Sequence, residues 1–412
     1  MTRFVVRLDL IQTLALVCVV LFAGYGLRRR IWVLDRYNLP APVIGGFLFA
    51  LVGLVLRQYG LVAFEFDTTL QTPLMIAFFT TIGFGASVTL LRQGGPLVLL
   101  FFGISSAVAV AQNVLGLAIA SQLGVHPLLG VLAGSVTLTG GPATGLAFAP
   151  EFEKVGVPDA APAALAAAMI GIVAGGIIGG PIGTLLISRQ RLQRRASHNP
   201  VPHGTAAQVV EDRLPEPHAR PPRGEDVEAY GLLKNLALIA VAMGIGVWLS
   251  AWASRYLTLP TYIGAMMVAA LLRNLDDATG VLGASQRIID DLGTVSLSLF
   301  LAMALMTLRL WQLAALALPL ALILAAQVAM IAILAIVLIF RATGRDYDAA
   351  VMSSGFCGFM LGTTANAMAN MEVLTQKYGA SPKAFLVVPM VGAFFIDFTN
   401  ALIITAFLNY WR

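Results

Sequence analysis

The stretch Ser135-Val-Thr-Leu-Thr-Gly-Gly-Pro-Ala-Thr-Gly145 decides the fold. It lies inside a segment, residues 128–149, that is apolar enough for a bilayer yet carries hydroxyls, glycines and a proline at its centre. A helix that breaks at membrane depth leaves backbone N–H and C=O groups without partners, and lipid cannot supply any. Such a break survives only against other protein or in a water-filled cavity, and in transporters it usually marks the binding site.

The composition indicates an integral membrane protein. Of the 412 residues, 58% are hydrophobic and only 11% are charged, whereas soluble domains are about 25% charged. The net charge of +5 does not indicate nucleic-acid binding, because most basic residues flank apolar spans, where they set orientation. The sequence holds no long soluble stretch that could host catalysis, so we expect a protein that is not an enzyme and needs no cofactor.

Ten apolar spans fall into two halves, residues 1–187 and 230–412. Each half holds five full spans and one broken segment, at 128–149 and 347–370 respectively. About 20 residues cross the roughly 30 Å of hydrocarbon. The full spans are Leu8–Leu27, Pro42–Leu56, Pro73–Leu91, Leu97–Ala120, Ala160–Ile187, Leu232–Trp252, Pro260–Leu272, Leu292–Leu308, Gln312–Phe340 and Lys383–Asn409. Residues 188–229, rich in arginine, proline and acidic residues, are expected to form a flexible linker.

The second half repeats the first. Leu39-Pro40 recurs as Leu259-Pro260, and Gly141–Gly145 occupies the same place as Gly362–Asn366, at an offset near 220 residues. Because each half has an odd number of spans, the second half must enter the membrane upside down. The pattern predicts an all-α integral membrane protein of about ten transmembrane helices in two inverted-topology five-helix repeats, each with a re-entrant or discontinuous glycine-rich segment.

The basic residues predict the orientation of the chain. If the amino terminus lies outside and each broken segment returns to the side from which it came, most of the 26 basic residues face the inside. Arg28–Arg30 and the arginines of the linker are among them. This bias agrees with the positive-inside rule. We therefore expect a multi-pass protein of the bacterial inner membrane, with both termini periplasmic and the linker cytoplasmic.

The two broken segments offer groups that suit both an anion and a cation. Hydroxyl and carbonyl oxygens suit a hard cation such as sodium, and the N–H groups at half-helix ends suit a carboxylate. A simpler interpretation is that small residues let helices pack closely and hydroxyls bond back to the preceding turn. Two such clusters at matching places favour the functional interpretation. The predicted substrate-binding residues are Thr137, Thr139, Gly140, Gly141, Thr144, Gly362, Thr363, Thr364, Asn366 and Asn370.

Asp397 is the one carboxylate that we place near the middle of a span. A charge there costs at least about 2.5–3.5 kcal/mol on insertion scales, so it needs a partner or a function. Asn400 lies three residues further along the same helix face, and Thr399 is adjacent to it. We predict that Asp397, Thr399 and Asn400 hold a sodium ion. A proton-titrating carboxylate and a helix-end cap are the alternatives.

Other polar or small residues within the spans have simpler explanations. Gln112, Asn113 and Gln327 could face the site or bridge helices, and bridging is the favoured interpretation. The run Gly175-Gly176-Ile-Ile-Gly179-Gly180 doubles the GxxxG spacing, which is typical of a close contact between helices.

Five longer runs of residues carry a family resemblance. They are Leu132–Gly141, Val295–Met306, Leu310-Trp311 with Leu316–Pro319, Tyr347–Ala350 and Ala384–Asp397. Together they resemble the bacterial sodium/glutamate symporter family, in register over nearly the whole chain. The resemblance implies electrogenic uptake of L-glutamate across the inner membrane, with sodium as the coupling ion. It also implies two inverted five-span halves with re-entrant segments, and a homodimer whose transport domains move past a fixed scaffold in the lipid bilayer.

The chain departs from the family pattern in its glycine-rich segments. Where the family usually reads Gly-Gly-His-Gly-Thr-Gly, this chain has the run Gly140–Gly145, with Pro142 and Ala143 at its centre. Phe356 stands in place of a histidine, and Thr363–Asn366 in place of Ala-Thr-Pro-Thr. The substrate could therefore be another amino-acid or dicarboxylate anion.

Two other classes of function compete with a symporter. A cation/proton antiporter would use Asp397 as a titrating group and would need no organic substrate. An intramembrane prenyl-transfer enzyme would use Asp276-Asp277 and Asp290-Asp291, although helix caps and solvated charge explain these pairs more simply. The paired hydroxyl-rich segments favour the symporter over the antiporter, which needs only its carboxylates.

Overall fold

Helices make up most of the chain. This computed structural model describes residues 4–59, 62–190, 192, 227–255, 259–308 and 316–411, so most of the predicted linker lies outside the described residues. Six of the described helices are long and apolar enough to cross a membrane. They are Leu10–Arg30, Gly95–Gln122, Ala160–Arg189, Glu228–Ala253, Gln286–Met306 and Ala317–Ala342. A mostly helical membrane protein is thereby confirmed.

The helices of the first half begin and end near the predicted spans, with one exception. They are α1 Leu10–Arg30, α2 Trp32–Arg36, α3 Ala41–Gln58, α4 Gln71–Gly85, α5 Val88–Gln93, α6 Gly95–Gln122, α7 Pro127–Val131, α8 Gly141–Lys154 and α9 Ala160–Arg189. The predicted span 73–91 is interrupted, because α4 ends at Gly85 and the hydroxyl of Ser87 caps α5 by accepting the N–H of Leu90. The apolar pattern runs through this break and does not reveal it.

The second half also consists of long helices joined by shorter ones. They are α10 Val227–Ala253, α11 Thr261–Thr279, α12 Gln286–Met306, α13 Ala317–Leu334, α14 Phe340–Ala342, α15 Tyr347–Met360, α16 Thr364–Tyr378, α17 Pro382–Met390 and α18 Ile396–Tyr410. Three short π-helical segments, Leu132–Val136, Ala335–Ile339 and Val391–Phe395, continue α7, α13 and α17. Such segments inside helices are frequent at functional sites.

A two-stranded parallel sheet, which the all-α prediction omits, joins the start of the chain to the connection after α3. Strand β1, Phe4–Leu8, pairs with strand β2, Val62–Phe66. Arg7 and Glu65 form an ion pair of 2.8 Å across the two strands, both exposed. The rings of Phe64 and Phe66 pack on Phe49 of α3, with centroids 5.7 and 5.9 Å away.

The helices pack in two groups, each of which contains helices from both halves. In the flanking group, α4 packs between α11 and α12, and α1 packs on α3. In the second group, called the link-bearing group because it contains both broken segments, α6 packs on α7, and α9 packs along α15 and α16. Aromatic rings connect the groups, because Tyr262 of α11 contacts Phe79 of α4 and Phe148 of α8, at 4.7 and 5.1 Å between centroids.

Pairs of glycines bring the first two long helices of each half into backbone contact. A Cβ on Gly24 of α1 would collide with the backbone of α3, and one on Gly45 of α3 would collide with Val20. In the second half, Gly246 of α10 and Gly264 of α11 are related in the same way. Small residues allow this close approach between membrane helices.

Asp276 and Asp277 have structural roles. The carboxylate of Asp276 accepts the backbone N–H groups of Leu282, Gly283 and Ala284, at 2.8 to 2.9 Å. Asp277 forms an ion pair of 3.0 Å with the buried Arg273 and accepts the hydroxyl of Ser87. These contacts close the loop after α11 and tie α11 to the start of α5.

A stripe of four glycines on α9 contacts the second broken segment. Gly171 and Gly175 lie against Leu361, Gly179 against Asn370 and Ser354, and Gly183 against Leu374. The predicted close contact is therefore made by Gly175 and Gly179, whereas Gly180 faces open space and Gly176 approaches only the ring of Tyr37. The sequence pattern contains both registers and does not distinguish them.

We expect glycine-to-alanine substitutions at two neighbouring positions of α9 to differ in their effect on stability. Gly179→Ala places a methyl group against Asn370 and should cost about 1–3 kcal/mol of stability through overpacking. Gly180→Ala meets no atom and should be neutral or stabilising by up to about 1 kcal/mol through helix propensity. Melting temperatures of the two variants in detergent, followed by size-exclusion chromatography, measure the difference. Equal melting temperatures would contradict the packing described here.

Candidate functional site

Both predicted broken segments consist of two helices joined by a short non-helical connection. In the first segment, the helical turn after α7 continues to Leu138, and the first link, Thr139 and Gly140, separates it from α8. Within that turn, Gly134 departs from helical geometry at φ −101° and ψ −129°. In the second segment, the second link, residues 361–363, separates α15 from α16. Thr363 caps α16, since its hydroxyl accepts the N–H of Asn366 at 3.4 Å.

The two links lie close to each other. A Cβ on Gly141, whose φ of +68° favours glycine, would lie 3.5 Å from the carbonyl oxygen of Gly362 and 4.0 Å from Cγ2 of Thr363. The buried Gln112 of α6 connects the segments, because its amide nitrogen donates to Met360 O at 3.0 Å and its oxygen accepts the hydroxyl of Thr139 at 2.7 Å. Gln112 thus bridges helices at the predicted site.

Helix α9 accepts hydrogen bonds from the second broken segment. The amide nitrogen of Asn366 donates to Ile172 O at 2.8 Å, and that of Asn370 donates to Gly175 O at 2.9 Å. Both residues are at most 5% exposed. The amide oxygen of Asn366 has no hydrogen-bond partner among the described residues, so it is available to another group.

One side of the two links is accessible. Gly140, Thr363 and Thr364 are half-buried, and Ala365 is exposed. By contrast, Thr137 is fully buried and its hydroxyl donates to Leu132 O at 2.7 Å. Predicted substrate-binding residues therefore divide between the accessible tips of the links and their supports.

The amino-terminal ends of two helices meet at the links. Helix α8 begins at Gly141 and α16 begins at Thr364, next to the contact between Gly141 and Gly362. The first turn of a helix leaves N–H groups without intrahelical partners and carries the positive end of the helix dipole. Two such ends close together suit an anion with carboxylate groups. The hydroxyl of Thr144, in the first turn of α8, forms no hydrogen bond with a described residue and adds a polar group.

Helix α18, which carries Asp397, and the π-helical segment before it approach both broken segments. Asn400 of α18 is fully buried and donates to Ser135 O at 2.9 Å. In the π-helical segment, a Cβ on Gly392 would lie 3.0 Å from the hydroxyl of Thr364. Asp397 lies between these contacts, half-buried, and forms no hydrogen bond or ion pair with any residue that the structure describes. The hydroxyl of Thr399 donates back to Phe395 O at 3.1 Å.

Several residues that contact the predicted site residues were not among the predicted site residues themselves. Ser135, Ile172 and Gly392 all contact predicted site residues. The only sequence signals for them were the hydroxyl cluster around Ser135 and the apolar run after Gly171, and neither specifies a partner. Gln327 belongs to the same network, because its amide nitrogen donates to Gln112 O at 2.6 Å.

Comparison with known proteins gives one consistent family. The family model described as sodium/glutamate symporter matches residues 6–380, which end just before α17. The curated sodium/glutamate symporter of Haemophilus influenzae is 42% identical over 395 residues, which cover 95% of each chain. The sodium/glutamate symporters of Escherichia coli and Shigella flexneri are each 41% identical over 405 residues, which cover 98% of each chain. The relatives thus also cover the helix that carries Asp397.

We expect Gln112→Leu to loosen the contact between the two links. The substitution removes the bond from Gln112 to the buried Met360 carbonyl and leaves the Thr139 hydroxyl only the sulfur of Met360, at 3.9 Å, as a partner. An unsatisfied buried polar group costs about 1–3 kcal/mol. Hydrogen–deuterium exchange followed by mass spectrometry should show faster exchange in peptides that cover 137–141 and 360–364. Gln122→Leu, at the exposed end of the same helix, is the matched control. Unchanged exchange in both links would refute the bridging role of Gln112.

Proposed function

The chain belongs to the sodium/glutamate symporter family, and we propose that it imports L-glutamate together with sodium across the bacterial inner membrane by alternating access. The observation that carries this proposal is the close approach of two interrupted helices, whose amino-terminal ends lie beside the accessible residues of the links. In transporters, interrupted helices at mid-membrane form the sites for anionic substrates and coupling ions. Family membership favours a symporter over a proton antiporter or a prenyl-transfer enzyme.

We propose that the membrane domain is an inverted repeat of five spans in each half. The glycine pairs Gly24–Gly45 and Gly246–Gly264, at corresponding places in the two halves, support this arrangement. So does the presence of one helix–link–helix segment in each half. In this arrangement the links enter from opposite sides, both termini are periplasmic and the linker is cytoplasmic. The link-bearing group would move past the flanking group in a homodimer.

In the proposed site, the amino-terminal ends of α8 and α16 bind the two carboxylates of the substrate. Their N–H groups and dipoles supply the positive potential, without a cationic side chain at membrane depth. Residues proposed to line the site are Thr139, Gly140, Gly141, Thr144, Gly362, Thr363, Thr364 and Asn366. Thr137 and Asn370, whose side chains bond to backbone carbonyls, are proposed to hold the links in shape.

We propose that the coupling ion binds to Asp397, Thr399 and Asn400. A carboxylate without a partner at membrane depth is costly, and a bound cation would compensate it. Oxygen ligands suit a hard cation such as sodium. Because Asn400 contacts the first broken segment and Gly392 contacts the second, an ion bound near Asp397 would act on both links.

Uptake into proteoliposomes tests the function. We expect radiolabelled L-glutamate to accumulate when sodium is high outside and not when choline replaces it. Competition with unlabelled aspartate and with dicarboxylates of similar length distinguishes glutamate from a related anion. Asp397→Asn should abolish sodium-driven accumulation or weaken the apparent sodium affinity at least about tenfold, equivalent to about 1.4 kcal/mol. Asp291→Asn, at an exposed carboxylate of α12, is the control and should behave as wild type.

Cysteine labelling tests the accessibility of the second link. In a background with Cys18 and Cys357 replaced by alanine, Ala365→Cys should react with a membrane-impermeant thiol reagent. Sodium with glutamate should slow that reaction, because the substrate would occupy the space before the link. Ala367→Cys, fully buried two residues later, should react slowly in all conditions. Equal labelling of both variants, insensitive to glutamate, would count against a site at this link.

A further inference from the structure

The hydroxyl of Ser135 differs from the other fully buried hydroxyls of the broken segments, those of Thr137, Ser353 and Ser354, which all donate to a backbone carbonyl. Ser135 is fully buried, and its Oγ has no hydrogen-bond partner within the described part of the chain. Ser353 of the second broken segment is equally buried, but its Oγ donates to Ala349 O at 2.8 Å, one turn back in its own helix. A buried polar group without a partner costs about 1–3 kcal/mol. A bound ion or molecule that contacts Ser135 Oγ would remove this cost.

The local backbone geometry explains why the hydroxyl of Ser135 has no hydrogen-bond partner among the described residues. Gly134 turns the chain out of helical geometry immediately before Ser135. The N–H of Ser135 donates to Asn113 Oδ1 at 3.0 Å, and its carbonyl accepts from Thr139 N, Gly140 N and Asn400 Nδ2 at 2.9 to 3.2 Å. Both backbone groups are thus satisfied, while the side chain is not.

A second buried oxygen and a carboxylate lie on the helix that contacts Ser135. Asn400 uses its amide nitrogen on Ser135 O, which leaves its Oδ1 buried and without a partner among the described residues. Asp397 lies three residues earlier on the same helix, and its carboxylate is also unpaired with respect to the described chain. Residues three apart share a helix face. Two neutral oxygens and one negative charge make a donor set for a hard cation.

We propose that the coupling cation binds between the first broken segment and α18, with the hydroxyl of Ser135 as a ligand beside Asn400 Oδ1 and the carboxylate of Asp397. The identity of the ion as sodium rests on the proposed function. Such an ion would connect the first broken segment to α18. Because Gly141, six residues after Ser135, contacts the second link, binding of the ion also orders the place where the substrate carboxylates are proposed to bind.

A buried water molecule is the competing occupant. Asn113 Nδ2 is a buried donor without a partner in the described ranges, and a water could accept from it and donate to Ser135 Oγ. A water would contribute to stability in every salt, whereas a cation contributes only when that cation is present. The two occupants therefore differ in their dependence on sodium.

The melting temperature of the purified full chain, measured in detergent without substrate, distinguishes a bound cation from a bound water. Sodium chloride is titrated against choline chloride at constant ionic strength. We expect sodium to raise the melting temperature of wild type and of Ser353→Ala along the same titration curve. Ser135→Ala should shift the midpoint of that curve at least about tenfold towards higher sodium. In choline it should melt at or above the wild-type temperature, because an unpaired buried hydroxyl has been removed.

A wild-type sodium curve in Ser135→Ala would overturn the proposal, and so would the absence of any sodium effect in wild type. Ser135→Cys is the second variant if the alanine variant is not recovered, and it should show the same shift because sulfur is a poor ligand for a hard cation. Failure of the proposed function is distinguishable, because these measurements contain no glutamate. A sodium shift that depends on Ser135 stands even if glutamate is not the substrate, and intact sodium-driven uptake does not rescue the proposal if the shift is absent.

Discussion

Buried side-chain amides that donate to backbone carbonyls hold the interrupted helices together. A break in a membrane helix frees backbone carbonyls where neither water nor lipid can bind them. In this protein Gln112 donates to the carbonyl of Met360 and Asn400 to that of Ser135, both of which lie beside a break. Two further amides tie the second broken segment to the continuous helix α9, with Asn366 donating to Ile172 O and Asn370 to Gly175 O. The fifth amide, that of Gln327 in α13, donates to Gln112 O of the continuous helix α6. All five amides are at most 5% exposed, so each bond is protected from competition by water.

An amide suits this task because it carries both a donor and an acceptor. When the nitrogen satisfies a backbone carbonyl, the oxygen is left for a different partner. Gln112 uses its oxygen to accept the hydroxyl of Thr139, whereas the oxygens of Asn366, Asn400 and Gln327 have no partner among the described residues. The groups that hold the breaks in shape are therefore also the groups that can supply oxygens to a bound ion or substrate. A change in one role must affect the other.

The interruptions could be read from the sequence, but their partners could not. Gly140-Gly141-Pro142 inside an apolar segment predicts a break, because glycine and proline disfavour a continuous helix whatever surrounds them. The contact between Gln112 and Met360 joins residues 248 apart in the chain, and no local rule specifies it. The unsatisfied hydroxyl of Ser135 depends on the backbone angles of Gly134, which nothing in the residue types dictates.

The same limit applies to contacts between elements. Two GxxxG registers overlap in α9, and only the arrangement of α15 and α16 selects the one with Gly175 and Gly179. The parallel pairing of Phe4–Leu8 with Val62–Phe66 joins two short strands that local propensity alone cannot bring together.

The departures from the family pattern differ in their consequences for the substrate. Phe356 is fully buried and packs against the rings of Phe101 and Phe359, at 6.1 and 5.6 Å between centroids, in the apolar core behind the second link. It replaces a histidine with an aromatic ring that needs no partner there. Pro142 lies in the first turn of α8, where proline fits the helix but provides no N–H group. Pro142 thus removes one donor from the helix end proposed to bind a carboxylate, whereas α16 has no proline in its first turn but uses the N–H of Asn366 on the hydroxyl of Thr363. The two ends therefore present different N–H groups to a substrate with two carboxylates.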